Sequence, residues 1–171
     1  MDLNIDQDLS EKRDVRPTFL TVLCILSFIT LGFSVLTAIS QISGGPLTKV
    51  EMAKQKIEMS KLVAQLESSE MNSMVDFMDN MMLMTQKLND HFYGVLAVSI
   101  LTIVVGFFGV LSMWRGSKLG FHLYIIYSLI GTAHVYIFVS PSIVPSLMIY
   151  TNLGLSAIFV FMYSRNLKWM K

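Results

Sequence analysis

The sequence predicts an all-α integral membrane protein, a four-transmembrane-helix bundle with a helical extracytoplasmic segment between the first and second spans. Three observations predict it. Of 171 residues, 53% are hydrophobic and only 15% charged, with a mean hydropathy of +0.58, where water-soluble domains carry about 25% charged residues. No Asp, Glu, Lys or Arg occurs between Pro17 and Thr48, between His91 and Trp114, or from Leu119 through Ser164. A helix rising 1.5 Å per residue needs about 20 apolar residues to cross a bilayer, so the first two runs hold one span each and the third holds two. Basic residues gather at the ends of these runs.

Residues 1–17 read as a cytoplasmic tail with five acids and three bases, Lys12, Arg13 and Arg16. A cleaved signal peptide would have a basic leader and a shorter apolar stretch, so the first span, residues 18–40, is read as an anchor. Gly44-Gly45-Pro46 then breaks the helix, and Thr48-Lys49-Val50-Glu51 has the form of a capping box, flanked by Leu47 and Met52 as a hydrophobic staple.

Residues 41–91 form the extracytoplasmic segment. One amphipathic helix is expected with Val50, Ala53, Ile57 and Ala64 on its apolar face. After Ser68-Ser69-Glu70 a second is expected through Met71, Met74, Val75, Met78, Met81, Met82, Thr85 and Leu88 to Phe92. With no breaker in sight, the second helix and span two, residues 92–114, should form one rod. Residues 115–118 make a cytoplasmic turn, residues 119–139 span three, residues 140–143 an external Pro turn, and residues 144–164 span four. Residues 165–171 are a basic cytoplasmic tail. Ser140-Pro141-Ser142-Ile143-Val144-Pro145 divides the long run because proline lacks the amide hydrogen and pushes its predecessor out of helical dihedrals.

All three basic clusters, with Arg115 and Lys118 in the middle one and Arg165, Lys168 and Lys171 in the last, fall on one side of a four-pass chain. Both termini are therefore expected in the cytoplasm. Trp114, Tyr163 and Trp169 are expected in the inner headgroup belt, and Phe92 and Tyr93 in the outer one.

Membrane helices associate through small side chains. Cys24, Ser27, Ser34 and Ala38 trace such a stripe on span one, and Ser99, Thr102, Gly106 and Gly109 one on span two; these faces are expected to meet. Tyr124, Tyr127, Ser128, Gly131 and His134 share a face of span three, and Tyr150, Thr151, Asn152 and Ser156 lie in span four. Counted from Ser142, His134 is eight residues back and Asn152 ten on, so the two should hydrogen-bond across the hairpin as structural glue. His122 reads as an interfacial side chain.

The net charge of +1 offers no field for nucleic acid. Every Asp and Glu lies outside the spans, which argues against a proton relay or other intramembrane acid–base chemistry. Cys24 has no basic partner to make a thiolate, and no nucleophile motif, metal-ligand spacing or phosphate loop occurs. The paired acids Glu67 and Glu70, and Asp76 and Asp79, read as a solvated helix face. No enzyme, cofactor or metal site is expected.

Eight of the thirteen methionines lie in the external segment. With His91 they offer donors for Cu(I), but their spacing follows the helix rather than a coordination polyhedron, which favours an apolar face adapted to a partner.

Arg16-Pro17-Thr18-Phe19-Leu20-Thr21-Val22-Leu23-Cys24-Ile25-Leu26 and Trp114-Arg115-Gly116-Ser117-Lys118-Leu119-Gly120 resemble segments of uncharacterised small four-span proteins of bacterial inner membranes. The resemblance implies a location in that membrane and brings no reaction with it. In outline the topology is also similar to that of claudins and tetraspanins, although the external loop has no cysteine pair, no Cys-Cys-Gly and no claudin-type tryptophan signature.

The function expected is that of a non-catalytic accessory or structural subunit. It would bind a protein partner, or a second copy, through Met71, Met74, Met78, Met81 and Met82 and the small-residue faces, with membrane lipid as its solvent. The alternative is an oligomeric channel or transporter component using Tyr124, Tyr127, His134 and Asn152. A minor alternative is Cu(I) handling.

Overall fold

A computed structural model describes residues 17–67 and 71–171. The expected basic cluster of Lys12, Arg13 and Arg16 and the Ser68-Ser69-Glu70 boundary lie outside the described residues. The chain is all-helical, 84% helix with no strands among the described residues. Among the described residues seven helices follow in order: α1 Thr18–Gly44, α2 Lys49–Glu67, α3 Asn72–Asp90, α4 Phe92–Trp114, α5 Lys118–Ala133, α6 Val135–Phe138 and α7 Ser146–Ser164. Among the described residues four helical stretches are long and apolar enough to cross a membrane: α1, α4, α5 with α6, and α7.

Hydroxyl residues are tolerated in these apolar helices because most of their oxygens are satisfied within the same helix. In α1, Thr30 donates to Leu26 O, Ser34 to Thr30 O, Thr37 to Phe33 O and Ser43 to Ile39 O, at 2.9–3.0 Å. Each removes a polar group that lipid could not solvate. The helix runs four residues past the expected Ser40 and ends at Gly44, where Gly45 takes φ 68°.

The capping box forms. Glu51 Oε2 accepts from the Thr48 amide at 2.8 Å and from the Thr48 hydroxyl at 2.7 Å, and the Glu51 amide donates to Thr48 Oγ1 at 3.3 Å. The Thr48 amide, then the Thr48 hydroxyl, hold the Glu51 carboxyl below its ordinary pKa. A depressed folded-state value means that this cap is at full strength above the ordinary carboxylate range and is released as pH falls through the lowered value.

Helices α2 and α3 pack as a hairpin, and Asn89 ties its base to the end of α1. The Leu47 amide donates to Asn89 Oδ1 at 2.7 Å, and Asn89 Nδ2 donates to Leu47 O at 3.1 Å. One side-chain amide thus satisfies both backbone groups of a residue that belongs to no helix. Asn89→Leu strands both, and is expected to destabilise the chain by about 1–3 kcal/mol. Hydrogen exchange should show this as faster exchange at the start of α2, with α4 unaffected.

The expected rod is interrupted. His91 leaves helical geometry at φ −111° and ψ 27°, separating α3 from α4. Beyond that break, Met84 is buried with Val135, Val139 and Val144, and Met81 and Leu88 pack around them. The Pro-containing turn therefore supports α3 from the side. The expected apolar stripe on α2 does not pack on α3: Val50 is 65% and Ile57 56% exposed, while Met52, Met59, Val63 and Leu66 are the half-buried positions.

Within the bundle, α4 is central and packs most extensively on α5, then on α1; α7 lies against α5 and touches α1. A Schellman motif makes the tight α4–α5 connection: the Ser117 amide donates to Ser112 O at 2.9 Å, the Gly116 amide to Met113 O at 3.0 Å, and Gly116 takes φ 80°. Ser117 then caps α5 through the Leu119 amide.

The glycines of α4 meet a second partner, α5, besides the expected α1. A Cβ on Gly109 would lie 3.1 Å from the Tyr124 amide, and one on Gly106 2.7 Å from the Tyr127 ring and 3.0 Å from Leu31. Gly106 thus faces both α1 and α5, Ser99 and Thr102 line a cleft with Ser34 and Ala38 of α1, and Gly109 serves α5. The reason is Gly120, whose missing side chain lets the α4 and α5 backbones touch at Met113 and Gly109.

The segment 165–171 is folded back against the bundle. Lys118 N donates to Lys171 O at 3.0 Å and Lys171 N to Gly116 O at 2.7 Å, pinning the segment to the α4–α5 turn. Met170 enters the core with Leu20, Leu23, Cys24, Val110, Met113 and Tyr163. Tyr163, expected at a headgroup belt, is fully buried, and its hydroxyl lies 2.8 Å from Ser27 Oγ. Ser27 is nine residues into α1, about 13 Å at helical rise, whereas Tyr163 is one residue from the end of α7. Helix α7 stops short of the basic end, and the 165–171 segment fills the space beneath it.

Candidate functional site

Above the Ser27–Tyr163 contact, α1 and α7 part. Between them, with α5 as the back wall, lies a cleft of about 350 Å³. Its polar wall is built from Ser27 and Thr30 on α1, Tyr124, Tyr127, Ser128 and Thr132 on α5, and Asn152 and Ser156 on α7; Leu155 and Phe159 supply apolar surface. No lining residue is charged. Helical periodicity explains the polar face of α5, since positions 124, 127, 128 and 131 fall on one side. Gly131 widens the cleft, because a Cβ there would meet nothing within 4 Å.

The lining divides by hydrogen bonding. Thr30 and Thr132 return their hydroxyls to Leu26 O and Ser128 O, both at 3.0 Å, and Ser27 pairs with Tyr163. The side chains of Tyr127, Ser128, Asn152 and Ser156 make no hydrogen bond to any described residue. Tyr124 and Tyr163 stack with centroids 4.8 Å apart, and Tyr127 follows at 5.5 Å from Tyr124. That aromatic cluster and the Ser27 contact close the floor.

A second cleft of about 400 Å³ adjoins the first, and the two share Thr30, Tyr127 and Gly131. Ser99, Thr102 and His134 line it, with Thr37 and Gln41 of α1. His134 and Asn152 are thus in different clefts, and the hydrogen bond expected between them is absent. His134 Nδ1 instead lies 2.8 Å from Gly131 O in its own helix; a carbonyl only accepts, so this nitrogen donates. The same residue marks the interruption between α5 and α6.

The methionines occupy three settings. Met84 is buried and Met81 packs beside it. Met82 lines a groove between α2 and α3 with Met52 and Met59, and Met78 is half-buried. Met71 and Met74 remain exposed. No group of three or more His, Cys, Asp or Glu is placed to hold a metal among the described residues.

Sequence reasoning found Tyr127, Ser128, Asn152 and Ser156 as intramembrane polar groups and missed their shared cleft. It also missed Asn89 and the Ser27–Tyr163 pair. A polar residue at the foot of an apolar helix was the only signal for the pair, and it reads equally as an interfacial tyrosine. No protein family, curated protein or solved structure matches this chain.

Proposed function

We propose that this chain is a multi-pass protein of a bacterial inner membrane, with both ends cytoplasmic, and that it serves as a non-catalytic accessory subunit docking a partner protein through the α2–α3 hairpin. The observation that carries the reading is the unpartnered apolar face of α2. Val50, Ala53, Ile57 and Ala64 fall within an arc of about 60° at 100° per residue, and all four are exposed. Met71 and Met74 add flexible apolar surface at the start of α3.

A helix that offers anchors at such spacing suits helix-in-groove recognition, and methionine adapts its shape to what it meets. Met81, Met82 and Met84 are engaged within the chain, so the docking surface is shifted toward α2. Gly106 and Gly109 are likewise occupied by α5 and Leu31, which removes them as a contact for another subunit.

The experiment is cross-linking in native membranes followed by affinity recovery, comparing the wild-type chain with Val50→Ser/Ile57→Ser/Met74→Gln. These positions are exposed, so the variant should keep its fold. A defined partner recovered by the wild type, and reduced at least tenfold in the variant, is expected. Equal recovery by both, or no specific partner for either, would discard the reading; recovery of a second copy would identify the partner as the chain itself.

The sealed basic end bears on transport. Leu20, Cys24, Val110, Met113 and Tyr163 are all fully buried beneath the cleft. The cleft is closed at that end, which favours binding over conduction through a single copy.

A further inference from the structure

Resting on the transmembrane reading above, we infer that the cleft between α1, α5 and α7 is a binding site for a quinone-class lipid, a neutral flat head carrying ring oxygens on an apolar tail. Hydrocarbon offers no hydrogen bonds, so polar side chains at membrane depth find partners in the protein or face a cavity that supplies them. Thr30 and Thr132 take the first course. Tyr127, Ser128, Asn152 and Ser156 take the second, and they converge on one cleft from two adjoining helices.

Depth and charge narrow the ligand. Ser128 lies ten residues from each end of the stretch Lys118–Phe138, and Ser156 lies ten residues from the start of Ser146–Ser164 and eight from its end. The donors therefore sit near mid-membrane. A phospholipid head is anchored at the interface by its charge, and no cation lines the cleft to draw one inward. A head that reaches this depth must itself partition into hydrocarbon.

Geometry narrows it further. The donors form two sets, Tyr127 and Ser128 on α5 and Asn152 and Ser156 on α7, so the head needs an acceptor for each. A sterol-like lipid with one hydroxyl would satisfy one set and strand the other; two ring carbonyls satisfy both. Tyr127 and Phe159 offer aromatic faces for the ring. The volume, about 350 Å³, is in the range of small-molecule sites. Leu155 is 53% exposed beside the opening, leaving an apolar exit along which a tail reaches the lipid. A partner helix is a poor occupant, because the Ser27–Tyr163 contact closes the lower end of the groove.

The test titrates the purified full-length protein in detergent with a benzoquinone bearing a ten-carbon tail, using thermal stabilisation and equilibrium binding as readouts. The same titration is run on two variants that act in different ways. Asn152→Leu/Ser156→Ala removes one donor set, and Gly131→Leu fills the cleft where a side chain meets no atom. Saturable binding by the wild type, weakened at least tenfold in both variants with their ligand-free melting unchanged, is the expected result. Absence of saturable binding, or wild-type affinity in either variant, would overturn the assignment. If a variant is destabilised without ligand, Asn152→Leu alone takes its place, since that side chain is exposed and makes no contact that folding requires. No partner protein enters the assay, so its failure and the failure of the docking reading are distinguishable.

Discussion

Gly120→Val should disrupt the four-span bundle, whereas Gly131→Ala on the same helix should leave it intact or slightly stabilised. At Gly120 a Cβ overlaps the Met113 amide nitrogen and comes within 2.7 Å of the Gly109 carbonyl oxygen. Both are backbone atoms of a helix, and neither can swing aside as a side chain would. The two helices must separate, and the contact they lose is the most extensive in the bundle. Overpacking of a dense interface costs about 1–3 kcal/mol even where side chains can yield, so a loss at or above about 3 kcal/mol is expected here. Gly131 lies beside open space, and alanine is the better helix former by about 1 kcal/mol. Thermal unfolding in detergent, followed by circular dichroism and size exclusion, separates the two: a lowered melting temperature for Gly120→Val alone supports this packing. Equal behaviour of both variants would refute it.

Tyr163→Ala should cost about 3–5 kcal/mol, the penalty of emptying a fully buried aromatic site. Tyr163→Phe isolates the hydroxyl. It keeps the ring against Tyr124 and removes the hydroxyl that meets Ser27 and Cys24, so a loss of about 1 kcal/mol is expected, in line with interhelical hydrogen bonds in membranes. Denaturant unfolding of the pair, with Ser27→Ala and the double variant to complete the cycle, measures the coupling. A Tyr163→Phe loss as large as that of Tyr163→Ala would mean that the hydroxyl, and not the ring, holds α7 to α1.

The helices were legible in the sequence because lipid imposes a length and excludes charge, and no rearrangement of neighbours relaxes either demand. The Thr48–Glu51 cap was legible because its bonds are local. Pairings between helices were not, and the failures share a cause. Placing His134 opposite Asn152 assumed two uninterrupted helices meeting at Ser142, yet α5 is broken at His134 and α7 begins only at Ser146. Placing Tyr163 at an interface assumed that all spans end at one depth, yet residues 165–171 continue beneath α7 and cover that end of the bundle. The stripe on α2 illustrates a third limit: two apolar faces were available, one through Val50 and Ile57 and one through Met52 and Met59, and periodicity does not say which will find α3. The polar cleft belongs to the same group. Its members were each visible, and their convergence depends on where α7 leaves α1.

The pairing of Ser27 with Tyr163 joins positions 136 apart along the chain. Helices α4 and α5 are linked by a tight turn, so they meet with little entropic penalty, whereas the first and last spans must search for each other across everything between. Assembly is therefore expected to begin at the central pair and finish at this seam. Until the seam closes, the pocket has no floor, so ligand binding would report completion of folding as well as affinity.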